Sequence, residues 1–337
     1  MESAFLVASH SNGHVDVVAL GFDESRVVGT IEAAAANGLA CHPRLPIVYL
    51  ATYNDGGAVT SVDVASGAVS EVTGIGEVPC FLLAVDNDGG DGDPVCLLSV
   101  NYGDGTVSSI ELSDGHVVGV VSRVTFPFEQ RPGMDPTRQE RSHPHWIGRN
   151  GGDLLVTDLG NDVIHDVSMH GNKLVHRGIH RRMRSGTGPR HMCRDDTGGL
   201  WASLELSNGV SRLGPDAVAT ASSSHRWLPD DLDGNHVGDI TFEPESGVVV
   251  TANRELNTLG IFARARGGIE PVAEVDCGGL WPMQFAQADG VLAVANRDSG
   301  NVAVFDVGPG WWENHPELFD IPHPVGIIPA PRWTESL

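Results

Sequence analysis

The sequence predicts an all-β fold: a seven-bladed β-propeller that takes residues 1–337 as one domain. Three observations predict it. Seven times the chain writes a short apolar strand, a polar Gly/Asn/Asp turn and a second apolar strand. The second strands begin near Val15, Val59, Val107, Val163, Val210, Leu259 and Val302, at steps of 44, 48, 56, 47, 49 and 43 residues. A β-rich repeat of this length is that of a propeller with one four-stranded sheet per blade. The path from Val302 through the C-terminus and back to Val15 is another 50 residues, so the repeat is expected to close on itself.

Each blade should run four strands, a to d, outward from a central channel. Strand b is the plainest: Ala4–Ser9, Ile47–Thr52, Cys96–Val100, Asp153–Thr157, Gly199–Leu204, Gly247–Ala252 and Gly290–Ala295. These runs are rich in Val, Leu and Ala, and alternation is weak, as suits strands covered on both faces. Strand c follows the turn, as at Val15–Ala19, Val59–Val64 and Val302–Val307. The first blade begins at a strand b and lacks a strand a. Pro324–Pro329, near the C-terminus, reads as the missing one, and pairing the two ends removes an open sheet edge. Between blades three and four, Pro127–Ser142 is too long for an ordinary connection, so it is functional or a solvated loop. The acidic stretches Asp86–Asp93 and Asp230–Asn235 read as solvated turns. The first resembles part of a calcium loop but lacks its twelfth-position Glu.

Composition narrows the function. Hydrophobic residues make up 41%, enough for a buried core, and the formal charge is −23. Such a surface argues against nucleic acid and anionic membrane as partners. It does not exclude an anionic small molecule, because twenty of the 21 basic residues are Arg and can gather locally. The start carries no signal-peptide pattern, no apolar run approaches 18 residues, and the five cysteines show no C-x-x-C spacing. The expected compartment is the cytoplasm.

In a propeller the starts of the a strands and the ends of the b strands meet at one end of the channel. That rule collects His143, His145, Arg190, His191 and Asp239 from strand-a starts. From strand-b ends it collects Tyr102, Asp158, Glu205, Arg254 and Arg297, and the long connection opens there too. A face of His, Arg and carboxylate groups suits ester hydrolysis. A His or carboxylate takes a proton from water, while Arg holds an anion and stabilises an oxyanion. The plain alternative is a set of rim residues that only pair with one another; Glu205 and Arg254 could do so. His143 and His145 stand at i and i+2, so both are expected on one side of a strand. With His191 they could hold zinc, a minority reading with no other metal signal. His165, His170, His176 and His180 fall on outer strands and are expected in solvent.

Several motifs, in order along almost the whole chain, resemble those of the lactonase-type seven-bladed propellers. They are His143-Pro144-His145, Asp158-Leu159-Gly160, Gly188-Pro189-Arg190-His191, Glu205-Leu206, Asn253-Arg254 and Ala295-Asn296. That family includes the propeller 6-phosphogluconolactonases and the fungal 3-carboxy-cis,cis-muconate lactonizing enzyme. Pro136–Gln139 also resembles the insertion before the family's H-x-H motif. The resemblance implies a cyclic ester opened or made with no metal or organic cofactor. It implies His145, Glu205, Arg190 and Arg254 as catalytic groups, with His145 a candidate general base. Asp158 and Arg138 sit in matching motifs; with His143, His191, Arg297 and Tyr102 of the same channel face, they are expected around the substrate. Where relatives carry Arg in blade seven this chain has Met283, with Arg297 a substitute; blade five has Leu204 before Glu205 where many relatives have Asn. The expected function is hydrolysis of a small anionic lactone, such as a sugar-acid lactone. A muconate-type lactonizing or isomerising enzyme is the alternative. A protein-binding scaffold is the second, weakened by the absence of Gly-His and Trp-Asp repeats and by a face that is charged rather than apolar; the absence of a G-x-S-x-G elbow argues against an α/β-type serine hydrolase.

Overall fold

The computed structural model describes all residues except 1–4, 12, 21–24, 33–35, 54–55, 87–93, 215–217, 223–233, 267, 332 and 334–337. Seven four-stranded antiparallel sheets follow one another around a ring. The middle strands Ile47–Thr52, Cys96–Asn101, Val248–Asn253 and Val291–Asn296 are buried at every position. Their lack of alternation therefore has its expected cause: a neighbouring blade covers each face. The outer strands, such as Val69–Thr73, alternate between half-buried and exposed. Blade one is built from Pro324–Pro329, Phe5–Ser11, His14–Leu20 and Ser25–Glu32, so the two ends of the chain share a sheet and close the ring.

The core lies in the seams between blades. Seven apolar clusters fill seven seams. One packs Leu98, Val100 and Val107 of blade three against Ile147, Leu154 and Val156 of blade four. Another packs Phe5 and Val7 against Ala293 and Ala295 across the closure. Burying a Leu, Val or Ile side chain contributes about 1.5–3 kcal/mol, and every seam holds several. Closure thus places the first and last blades under the same packing as the rest.

One irregularity recurs, and it positions the functional groups. The innermost strand of blades two to seven loses register with its neighbour near its start. The shifts lie between Ala36/Gly38, Pro79/Phe81, Pro144/Trp146, Pro189/Met192, Val237/Ile240 and Pro282/Gln284. A bulge leaves residues out of the ladder and re-aims their side chains. The bulged residues include Cys80, His145, Arg190, His191, Asp239 and Met283.

The long connection Pro127–Ser142 is fastened at both ends. Asn161 donates to the Pro127 carbonyl and accepts from the Glu129 N–H. Asp158 accepts from the Ser142 hydroxyl and the His143 N–H. Gln139, fully buried, donates to the Leu159 carbonyl and accepts from the Asp135 N–H. Gly160 is required because a Cβ there would collide with the Arg141 carbonyl oxygen.

One expectation about solvent is corrected. His165 is buried, bonded to Asp158 at 3.1 Å and stacked on Phe126, while His170 and His180 are exposed and His176 is half-buried. The inner half of strand c faces a seam even in a blade whose rim is polar. Of the two acidic stretches, residues 87–93 and 230–233 lie outside the described residues. Among the described residues no helix is long and apolar enough to cross a membrane, and no three His, Cys, Asp or Glu side chains converge as a metal site.

Candidate active site

Five of the six bulges, with strand ends beside them, line a pocket of about 370 Å³ at one end of the channel. Four guanidinium groups line it, from Arg138, Arg190, Arg254 and Arg297, against one carboxylate, that of Glu205. A pocket of cationic walls in a chain of charge −23 concentrates anions where the rest of the surface repels them.

Glu205 follows the end of strand Leu200–Leu204 and is fully buried. Its N–H donates to the Gly188 carbonyl, which ties it to the Gly188-Pro189-Arg190-His191 turn. Gly188 has φ +60, a backbone state costly for other residues. Three guanidinia converge on the carboxylate: Arg138 at 2.5 Å, Arg190 at 2.9 Å and Arg254 at 3.0 Å. Burial alone would raise the Glu205 pKa. Arg190 and Arg254, with His145 and Arg138, overcome it and hold the carboxyl well below its ordinary 4.5. The group is ionised at every working pH.

Each Arg arrives differently. Arg138 is delivered by the long connection, where the Asp135 carboxylate accepts the Thr137 and Arg138 N–H groups. Its Nε also reaches the Tyr102 hydroxyl at 3.4 Å. Arg190 stands on a bulge and is 7% exposed. Arg254 donates from Nε to the His236 carbonyl, and its guanidinium lies 5.7 Å from the Trp281 ring. Arg297 lies over the same ring at 4.8 Å and pairs with Asp298 at 2.7 Å.

Two imidazoles complete the wall. His145 Nε2 is 2.9 Å from Arg190 Nη1. A guanidinium only donates, so Nε2 must accept and the ring proton sits on Nδ1, 3.9 Å from Cys80 Sγ. Burial first, then Arg190 and His191, pull the His145 pKa well below 6.5, so the ring is neutral. His191 Nδ1 is 2.7 Å from Asp239 Oδ1, and the His191 N–H donates to the Ser203 hydroxyl. Burial lowers the His191 pKa as well, with Asp239 opposing it. The Asp239 carboxylate also accepts the Ile240 and Phe285 N–H groups, at 2.9 and 2.8 Å, so it joins the inner strands of blades five, six and seven. Cys80 lines the pocket, but burial pushes its thiol up to about 12, which keeps it a thiol rather than a nucleophile.

Of the ten expected site residues, the structure brings eight to the pocket: His145, Glu205, Arg190, Arg254, Arg138, His191, Arg297 and Tyr102. It does not bring the other two. His143 stacks under Tyr102 at 4.2 Å between ring centres, and its two ring nitrogens meet the Tyr102 carbonyl and Glu140. Asp158 is spent on Ser142, His143, Asn161 and His165 behind the wall. The bulge at His145 breaks the i, i+2 relation that would have set both histidines on one side, so His143, His145 and His191 do not gather as zinc ligands. The pairing of Asp239 with His191 escaped the sequence. Both residues start inner strands, which was the available signal, but nothing in one chain's letters says which partner a carboxylate will choose.

A model of the family described as lactonase, 7-bladed beta-propeller, matches residues 5–327. The chain belongs to that family. The 6-phosphogluconolactonase of Bacillus subtilis (strain 168) is 27% identical to this propeller lactonase over 246 residues, 68% of this chain and 69% of that one. A solved structure from Bacteroides fragilis, described as a candidate 6-phosphogluconolactonase, superposes with a TM-score of 0.78 at 20% identity over 98% of both chains. The periplasmic gluconolactonase of Pseudomonas aeruginosa superposes with a TM-score of 0.76 at 20% identity, over 97% of this chain and 98% of that one. At such identities these structural likenesses speak to the fold of the lactonase, not to its substrate.

Proposed function

We propose that this propeller lactonase hydrolyses a small anionic lactone of the sugar-acid type, as 6-phosphogluconolactone is, without a metal or organic cofactor. The observation that carries the reading is the buried Glu205 carboxylate holding three guanidinia together in a pocket whose two imidazoles are neutral. One carboxylate cannot saturate three guanidinium forks, each with five N–H donors. The unspent donors are placed for a substrate anion and for the oxyanion that forms when water attacks the carbonyl. Neutral imidazoles beside them can take a proton from that water, which a charged imidazolium cannot. The pocket volume suits a single small ring. Met283 lines the wall as an apolar group, so anion binding falls to Arg138, Arg190, Arg254 and Arg297. We place the protein in the cytoplasm, where its five free thiols would persist.

The test is proton release, followed by pH-stat, from a panel of phosphorylated and unphosphorylated aldonolactones and muconolactones, with and without chelator. Hydrolysis of an anionic member well above its uncharged counterpart, unaffected by chelator, is the expected result. Equal rates on charged and uncharged rings would refute the role given to the arginines.

A further inference from the structure

We propose that the proton-accepting group of the pocket is His191, oriented by Asp239, and that His145 instead positions Arg190. This inference rests on the lactonase reading above and assigns roles within the same site. The two imidazoles differ in what their lone pairs are doing. His145 has its only lone pair on Nε2, and that lone pair already accepts from Arg190 Nη1 at 2.9 Å. To act as a base it would have to give up the bond that fixes a buried guanidinium, 7% exposed. His191 is the reverse case. Its Nδ1 faces an Asp239 carboxylate, which accepts only, so the ring proton is held there. The lone pair is then on Nε2, and Nε2 is buried with no hydrogen-bond partner among the described residues. Leaving a buried acceptor without a partner is unfavourable. In the wall of a pocket such an acceptor marks a place for a donor from a bound molecule, here water or substrate.

The supporting frame is rigid. Asp239 cannot turn away, because its two oxygens also take the N–H groups of Ile240 and Phe285. The His191 ring is wedged edge-on between His145, at 5.1 Å, and Phe81, at 5.6 Å. Burial and Arg190 oppose its protonation, and the carboxylates of Asp239 and Glu205 favour it.

The step balances simply. Nε2 of His191 takes a proton from water as the water oxygen bonds to the lactone carbonyl carbon. The carbonyl electron pair moves to its oxygen, beside Arg190 and Arg254. Collapse breaks the bond from the acyl carbon to the ring oxygen. The ring oxygen takes the proton back from Nε2, leaving a hydroxy acid and neutral His191.

The experiment compares His191→Ala, Asp239→Asn and His145→Gln by kcat/KM against pH, on the lactone that the wild-type protein turns over fastest, with thermal melts to confirm folding. Loss of a general base should lower kcat/KM by roughly 10²- to 10⁴-fold, and added imidazole should restore part of it in His191→Ala. Asp239→Asn should lower it too. An Asn whose oxygen serves the Phe285 N–H turns its NH₂ to His191, which moves the ring proton to Nε2 and removes the base. The acid limb of the wild-type profile lies below pH 6.5 and should persist in His145→Gln, with KM raised as Arg190 loosens. A folded His191→Ala with wild-type kcat/KM, or an acid limb that vanishes only in His145→Gln, would overturn the assignment and leave the lactonase reading standing. Wild-type protein silent on the whole panel would overturn both.

Discussion

Replacing Glu205 by Gln should destabilise the protein, because the carboxylate is the counter-ion of three guanidinia. The substitution keeps the volume and one acceptor oxygen and deletes the charge. The three contacts are not equal. The Arg138 side chain is 35% exposed, so water makes good much of its loss, whereas those of Arg190 and Arg254 are 8% and 13% exposed and cannot rehydrate in place. Removing one partner of a buried pair costs about 3–5 kcal/mol. With an unfolding entropy of about 2.1 cal/mol/K per residue, a chain of this length should lose roughly 4–7 °C in Tm. The sign with pH follows from the direction of the shift. The folded pKa of Glu205 lies below its ordinary 4.5. Its stabilisation is therefore fully present above the unfolded carboxylate range and is lost as pH falls through the folded value. Calorimetric scans of wild type and Glu205→Gln at one scan rate, from pH 7 downward, read this directly. The gap should be full at pH 7 and should narrow progressively once pH falls below the ordinary carboxylate range. Added phosphate should raise the variant's Tm more than the wild type's, by supplying the missing anion. A variant as stable as wild type at pH 7 would refute the reasoning, since the three arginines would then need no counter-ion.

Two further outcomes follow from the long connection. Arg138→Met should raise KM by roughly tenfold or more, as expected for losing a hydrogen bond to a charged group, while Tm barely moves because the side chain is a third exposed; steady-state kinetics beside a melt separates the two. Gly160→Ala should force the Arg141 carbonyl away, cost about 1–3 kcal/mol by overpacking, and expose residues 127–142 to limited proteolysis; denaturant unfolding that matches wild type would count against the close approach.

Much of this protein was legible in its letters. A repeat of apolar strand, polar turn and apolar strand can satisfy its backbone and bury both faces only by stacking sheets side by side, so the spacing alone led to seven blades. Pro324–Pro329 was readable as the closing strand because blade one lacked an inner one, and it does pair with Phe5–Ser11. The meeting of strand-a starts and strand-b ends is topology, so Glu205, Arg190, Arg254 and His145 could be gathered from three blades by sequence alone. What the tertiary structure alone decided is orientation and partnership. Asp158 pairs with Pro144 at the end of its strand, whereas Glu205 stands one residue beyond Leu204, the partner of Pro189. That offset of one residue turns Asp158 back onto Ser142 and Asn161 and sets Glu205 before three arginines. His143 and His145 parted at a bulge, which the sequence pattern does not mark. The proton positions of His145 and His191 were set by an arginine and an aspartate from other blades. Sequence fixes which groups reach a channel through strand period and turn chemistry, which are local. Which lone pair is left free depends on contacts between residues some 45 positions apart, such as His145 with Arg190 and His191 with Asp239, and those exist only once the ring has closed.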